Sequence, residues 1–226
     1  VSGGESLLWV AAPYVTLVIF VGGLIWRYRY DQFGWTTRSS QFYERRLLRV
    51  ASPLFHYALI VVIAGHVTGL LVPPAWTDAI GVSNDTYHAN ALFWGGIAGV
   101  AALAGLALLI YRRRTRGPVF LATTANDKTM YAVLAAAIIT GVVTTAAGFA
   151  PSEESYRTTV APWFRGVLTL RPDVMAMSRA NGLYKLHTVV GMGLVVLFPF
   201  SRLVHALSAP VGYLFRPYIV YRRRAR

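Results

Sequence analysis

Cysteine is absent from all 226 residues of this chain, which excludes disulfides, cysteine-ligated iron-sulfur clusters and covalently attached c-type haem together. Acidic side chains are scarce, nine Asp and Glu against 22 Lys and Arg. Charged residues make up 14% and hydrophobic residues 55%, where a soluble domain carries about a quarter charged. An ordinary water-soluble core is therefore excluded. The apolar stretches also lack the period-2 alternation that a membrane barrel strand requires, which leaves helix as the way to satisfy their backbone groups in lipid.

What is present is a series of long apolar runs, at about 8 to 26, 51 to 72, 89 to 111, 130 to 150 and 186 to 207. Each is near the ~20 residues that cross a hydrocarbon core. The expected fold is an all-α integral membrane protein, a single domain of five transmembrane helices with a tail over 208 to 226. The first run is read as a span and not a signal peptide, because VSGGES has no basic character and the charges follow it in RYRY.

Basic residues set the expected orientation. Arg27, Arg29, Arg38, Arg45, Arg46 and Arg49 follow the first span. Arg112, Arg113, Arg114, Arg116 and Lys128 follow the third, and Arg202, Arg216, Arg222, Arg223, Arg224 and Arg226 lie at the C-terminal end. The other side has only Arg157, Arg165, Arg171, Arg179 and Lys185, all around one loop. The N-terminus is thus expected outside and the C-terminus in the cytoplasm. Clusters of this kind meet anionic lipid, so the net charge of +13 does not imply nucleic acid. The tail YRRRAR also suits an acidic cytoplasmic subunit.

Trp9, Trp26, Trp35, Tyr28, Tyr30, Trp76, Trp94 and Tyr111 fall near span ends, as an aromatic belt would. Within the longest connection, Pro151 to Leu183, the segment APWFRGVLTL has the spacing of a short amphipathic helix, packed at the surface or acting as a lid. Pro53 is expected in the first turn of the second helix, where its missing N–H costs little. Pro199 is expected to bend the fifth helix or free a carbonyl.

Four of the five histidines occur in apolar stretches, His56 and His66 in the second span, His187 and His205 in the fifth. A titratable group in a membrane span is a functional hypothesis by default. With the two spans antiparallel, His56 shares the cytoplasmic half with His205, and His66 shares the outer half with His187. Each level then offers two neutral imidazoles, the arrangement for axial ligation of a haem iron. If both spans are regular helices, the rise between ligands is about 15 Å on the second and about 27 Å on the fifth, and tilt or the bend at Pro199 must absorb the difference. Gly65 and Gly69 flank His66, and Gly191 and Gly193 follow His187. They serve either close helix packing or clearance for a flat ring. Arg202, one turn before His205, suits a haem propionate or the headgroup region.

The spans ASPLFHYALIVVIAGHVTG (51 to 69) and LHTVVGMGLVVLFPFSRLVHALSAPVGYL (186 to 214), with RYRYDQFGWTTRSSQ (27 to 41), resemble the gamma subunit of membrane-bound respiratory nitrate reductase, a cytochrome b. The resemblance implies two b haems, His56 with His205 on the cytoplasmic side and His66 with His187 on the outer side. It implies oxidation of menaquinol or ubiquinol beside the outer haem, in a bacterial cytoplasmic membrane. Electrons then pass to an iron-sulfur beta subunit and on to a molybdenum-containing alpha subunit that reduces nitrate. The chain itself has no ligands for a cluster or molybdenum. The family's quinol pocket lies by the loop entering the third helix, where some members carry a lysine. Here NDTYHANAL (84 to 92) has none, so His88 or Tyr87 is left to hydrogen-bond the quinol oxygen, with Asp85 as a weaker proton relay and His66 available through its second nitrogen. Related sulfite-reducing or heterodisulfide-type membrane cytochromes share the plan. A haem-free reading, zinc transport or a structural anchor, differs by showing no haem absorption.

Overall fold

The computed structural model describes residues 3–35, 39–150 and 155–208 together with Phe215, and among these there are helices and turns but no strand. In chain order the helices are α1 (Gly3–Tyr30), α2 (Leu48–Leu71), α3 (Pro74–Ala79), α4 (Asn84–Thr115), α5 (Gly117–Leu121), α6 (Ala125–Ala147), α7 (Val160–Leu168), α8 (Val174–Arg179) and α9 (Gly182–Leu197). Five of them, α1, α2, α4, α6 and the segment Gly182–Phe200 containing α9, are long and apolar enough to cross a membrane. Arg38, residues 151–154 and the basic tail from Arg216 to Arg226 lie outside the described residues.

Glycine sets how closely the spans approach. A Cβ at Gly105 on α4 would lie 2.7 Å from the Phe55 backbone nitrogen on α2, and one at Gly99 would lie 3.0 Å from Val142 on α6. Only a residue without a side chain permits that contact. Beside it Phe55, Leu106, Met130 and Leu134 form a buried apolar cluster.

A second cluster, Trp9, Val160, Trp163, Val167, Met177 and Ala180, joins α7 and α8 to the start of α1. Here sequence dictates the local geometry through Pro13. Lacking an N–H, it cannot bond the carbonyl four residues back, and Trp9 O instead accepts the Trp163 indole N–H at 2.8 Å. The turn around it, Leu7–Ala11, widens to a π-helix, the usual accommodation of such a defect. Trp9, expected in an exposed belt, is 3% exposed, while Trp26, Trp76, Trp94, Tyr28, Tyr30 and Tyr111 are exposed at span ends. The segment at APWFRGVLTL is helical over Val160–Leu168 and packed.

At the basic end several cations are buried, contrary to a purely lipid-facing role. Arg112 donates to Glu44 Oε2 at 2.6 Å, to Ser40 Oγ at 2.8 Å, and to the carbonyls of Ser40 and Glu44. This ties the loop after α1 to the end of α4. Burial alone would raise the Glu44 pKa, but hydrogen bonds from the Leu47 N–H and Arg112 outweigh it and hold the carboxyl below its ordinary value. Glu44 also accepts from Leu47 N at 2.8 Å, so α2 begins early, at Leu48. Pro53 therefore lies in its second turn, not its first.

The fifth span differs most from expectation. The α-helix ends at Leu197, not 207. Pro199 lies in a 3-10 turn, Phe198–Phe200, Ser201 is extended, and Arg202–Ser208 is a second 3-10 segment. The break is held from three sides. Arg27 Nε donates to Pro199 O at 2.5 Å, Asn126 Nδ2 donates to Phe200 O at 3.0 Å, and Arg202 pairs with Asp127 at 2.7 Å. A Cβ at Gly23 would lie 2.8 Å from the Pro199 ring, so α1 presses directly on the turn.

Candidate functional site

From His187 to Leu197 is ten residues, about 15 Å of helix, and His56 to His66 on α2 is also ten. The break at Pro199 stops the advance along α9 at the level of His56, and the second 3-10 segment brings His205 there. The expected mismatch in rise disappears, and His205 lies outside α9.

The four imidazoles meet in two pairs. The His56 and His205 ring centres are 6.1 Å apart with planes inclined at 68°, and those of His66 and His187 are 5.8 Å apart at 41°. Neither pair stacks face to face. Their Nδ1 atoms are all engaged. His56 Nδ1 donates to Ser52 O at 2.7 Å and His66 Nδ1 to Val62 O at 2.8 Å, while His205 Nδ1 donates to Arg202 O. A carbonyl only accepts, so these nitrogens carry the proton and each Nε2 is left with its lone pair. His187 Nδ1 lies 3.0 Å from Thr140 Oγ1 on α6. That hydroxyl gives its own hydrogen to Ala136 O at 2.8 Å, so it accepts from His187, with the same tautomer as the result. His66 Nδ1 thus faces its own helix.

Space around the pairs is uneven. A Cβ at Gly141 would lie 3.1 Å from His187 Cε1, whereas at Gly65, Gly191 and Gly193 it would meet nothing within 4 Å. Among the described residues Gly65 therefore makes no close helix contact. Gly69 faces the Tyr156 ring at 3.3 Å. Among the described residues no three His, Cys, Asp or Glu side chains gather as a metal site. Each pair offers two nitrogens and no third protein ligand, a donor set for a metal whose remaining positions are filled by a macrocycle.

The side chains of Arg202, His88 and Tyr87, also singled out in the sequence, have partners other than the four imidazoles. Arg202 is committed to Asp127. His88 has the opposite tautomer, its Nε2 donating to Gly148 O at 3.1 Å, which leaves Nδ1 as the acceptor. Tyr87 lies beneath the Arg157 guanidinium, 4.0 Å from its ring centre. Asp85 is exposed in the first turn of α4, where Ser83 caps the helix.

Comparison with known proteins follows these features. The family model for the nitrate reductase gamma subunit matches residues 5–224. The chain belongs to that family. It is 41% identical over 220 residues to the nitrate reductase gamma chain of Bacillus subtilis, covering 97% of this chain and 99% of that one. It is 34% identical over 215 residues to the respiratory nitrate reductase 1 gamma chain of Escherichia coli, covering 94% of each. The nitrate reductase-like protein NarX of Mycobacterium tuberculosis is 57% identical over 221 residues, 97% of this chain. The chain spans about a third of that relative's length, 34%.

Within this gamma-family chain, sequence reasoning named the four paired histidines but missed Thr140, Gly141, Tyr156 and Arg157. Ser52 was findable, standing four residues before His56 on one helix face. Thr140 was not, since its span carries no histidine and one threonine in an apolar helix carries no signal.

Proposed function

We propose that this chain is the membrane cytochrome b of a quinol-oxidising nitrate reductase, in which His56 with His205 and His66 with His187 each hold one b haem. The observation that carries the reading is the spacing of the two pairs, 6.1 and 5.8 Å between ring centres. Two metal–imidazole bonds of about 2 Å, with each nitrogen about 1 Å from its ring centre, put coaxial ligands roughly 6 Å apart. The fixed tautomers support it further, because each Nδ1–H bond orients its ring and makes Nε2 a better donor. Open space at Gly65, Gly191 and Gly193 suits the edge of a flat ring.

When bound, the haems supply one-electron carriers at two depths. The chain's residues supply the rest. The basic residues at one end support a cytoplasmic position for that end, with the His66 and His187 pair toward the exterior. Quinol binds near that pair, against the entry to α4, where His88 Nδ1 accepts a proton and Tyr87 offers a hydroxyl; Asp85 opens the route to water. Protons leave on the outer side, and haems held at the two levels would carry the electrons from His66 and His187 toward His56 and His205. From there they pass to an iron-sulfur partner and then to a molybdenum-containing partner docked on the basic face. Location in the bacterial cytoplasmic membrane follows from that arrangement.

Reduced-minus-oxidised spectra of single His→Ala variants test this. Each substitution is expected to remove one of two b haems. Loss of His66 or His187 abolishes quinol oxidation. Loss of His56 or His205 leaves the outer haem reducible by quinol with no onward transfer. Retention of both haems in all four variants overturns the reading.

A further inference from the structure

Arg157 is 4% exposed, and a guanidinium withdrawn from water is costly unless an anion compensates it. Its partners are neutral. Nη1 donates to Asn84 Oδ1 at 2.7 Å, Nη2 to Thr77 Oγ1 at 2.8 Å, and the plane lies over Tyr87. Among the described residues it has no carboxylate within salt-bridge distance, and its Nε is buried with no acceptor.

The surroundings reinforce this imbalance. Arg165 on α7, which donates to Leu70 O at 3.0 Å, adds a second cation at the same end. Burial, with the Arg157 charge nearby, holds its guanidinium below the ordinary value. Tyr156, beside Arg157 in sequence, lies against Gly69 and 6.3 Å from the Tyr184 ring. Gly69 is one turn beyond His66 and Tyr184 one turn before His187, so these phenols lie about one helical turn from the outer imidazole pair. Burial, with Tyr87 and Tyr184 adding to it against the pull of Arg157, pushes the Tyr156 phenol well above its ordinary value. The phenol remains a neutral hydrogen-bonding group and does not neutralise the cation.

We propose that Arg157 is an oxyanion-binding residue at the outer end of the bundle, its Nε–H donating to an acidic oxygen of a bound ligand. Two sources of that oxygen fit the position. One is a quinol headgroup losing its proton beside Tyr87; the other is the carboxylate of a porphyrin held by His66 and His187. The inference rests on the quinol-oxidising, haem-bearing reading and has its own test.

The test uses the full chain in membranes with both haems present, as Arg157→Gln, Arg157→Lys and the double variant Thr77→Val, Asn84→Leu. The probes are a 2-hydroxy-3-alkyl-1,4-naphthoquinone, anionic at neutral pH, and its uncharged methyl ether. Binding is read from perturbation of the haem spectrum, and the outer haem's midpoint potential from a redox titration. If the source is quinol, Arg157→Gln weakens the anion about tenfold or more, the ether less than about twofold, and Arg157→Lys recovers part of the loss. If the source is porphyrin, both probes bind as before and the outer midpoint potential falls. The double variant removes the acceptors that hold the guanidinium in place, so it lowers the anion-to-ether ratio in the first case and leaves it unmoved in the second. Equal weakening of both probes by Arg157→Gln, or no change in probe binding or potential, overturns the inference. Should Arg157→Gln not accumulate, Arg157→Lys gives the same comparison with a smaller ratio. A chain with no haem spectrum sinks the underlying reading instead, so the two failures are separable.

Discussion

At the scale of the residue, the decisive atoms are the nitrogens of the imidazole rings that do not face each other. Three of the four Nδ1 atoms are occupied by a carbonyl three or four residues earlier in the same segment, and His187 alone borrows its partner from another span, Thr140 on α6. That dependence gives a prediction. Thr140→Val keeps the shape but removes the acceptor, so the His187 ring becomes a poorer electron donor. With the two haems proposed above, the midpoint potential of the outer one is expected to rise and that of the inner one to stay unmoved, in a redox titration of the two bands. The histidines were legible in the sequence because imidazole in hydrocarbon is costly, and their pairing followed from chain direction. The supporting hydroxyl was illegible because it joins residues 47 positions apart.

At the scale of the element, two prolines divide the outcome. Pro13 leaves α1 continuous, since a tryptophan from α7 takes the freed carbonyl. Pro199 ends α9, because α1 presses on its ring and Arg27 claims its carbonyl. Hydropathy alone does not locate the end, since Leu203, Val204, Ala206 and Leu207 carry the apolar run past Leu197, and so the expected end at 207 was too late. Glycine positions give the matching experiment. Gly105→Ala sets a Cβ 2.7 Å from the Phe55 backbone, and forcing α2 and α4 apart is expected to cost about 1–3 kcal/mol, read as a lower temperature of haem release in detergent. Gly65→Ala meets no atom of the described residues within 4 Å. Its effect is expected in the outer haem spectrum and not in the release of the inner one.

At the scale of the whole molecule, the apolar runs made the number of spans legible, while the packing of the ends was hidden. Arg112 counted as a lipid-facing charge in the sequence, yet it is buried against Glu44 and Ser40 and holds the first loop. Because the folded-state pKa of Glu44 is depressed, the tie is complete above the unfolded carboxylate value and is lost as pH falls through the folded value. A spin label at Gln41 is expected to gain mobility in the wild type only as the pH falls below the ordinary glutamate range, and at neutral pH already in Glu44→Gln. Orientation has an equally direct test, because the chain has no cysteine of its own. Single cysteines at Thr115 and Thr169, both exposed, are expected to react with an impermeant thiol reagent from opposite sides of sealed vesicles. Thr115 is expected to react from the cytoplasmic side.

The break after Leu197 makes the two walls of the bundle count alike, ten residues from His56 to His66 and ten from His187 to the end of its helix. For the two haems proposed above, the tunnelling distance between the levels is thereby written in helical pitch. A one-residue insertion on either wall would swing one ligand by about 100° and cut the wire, and only a whole turn added to both walls would lengthen it.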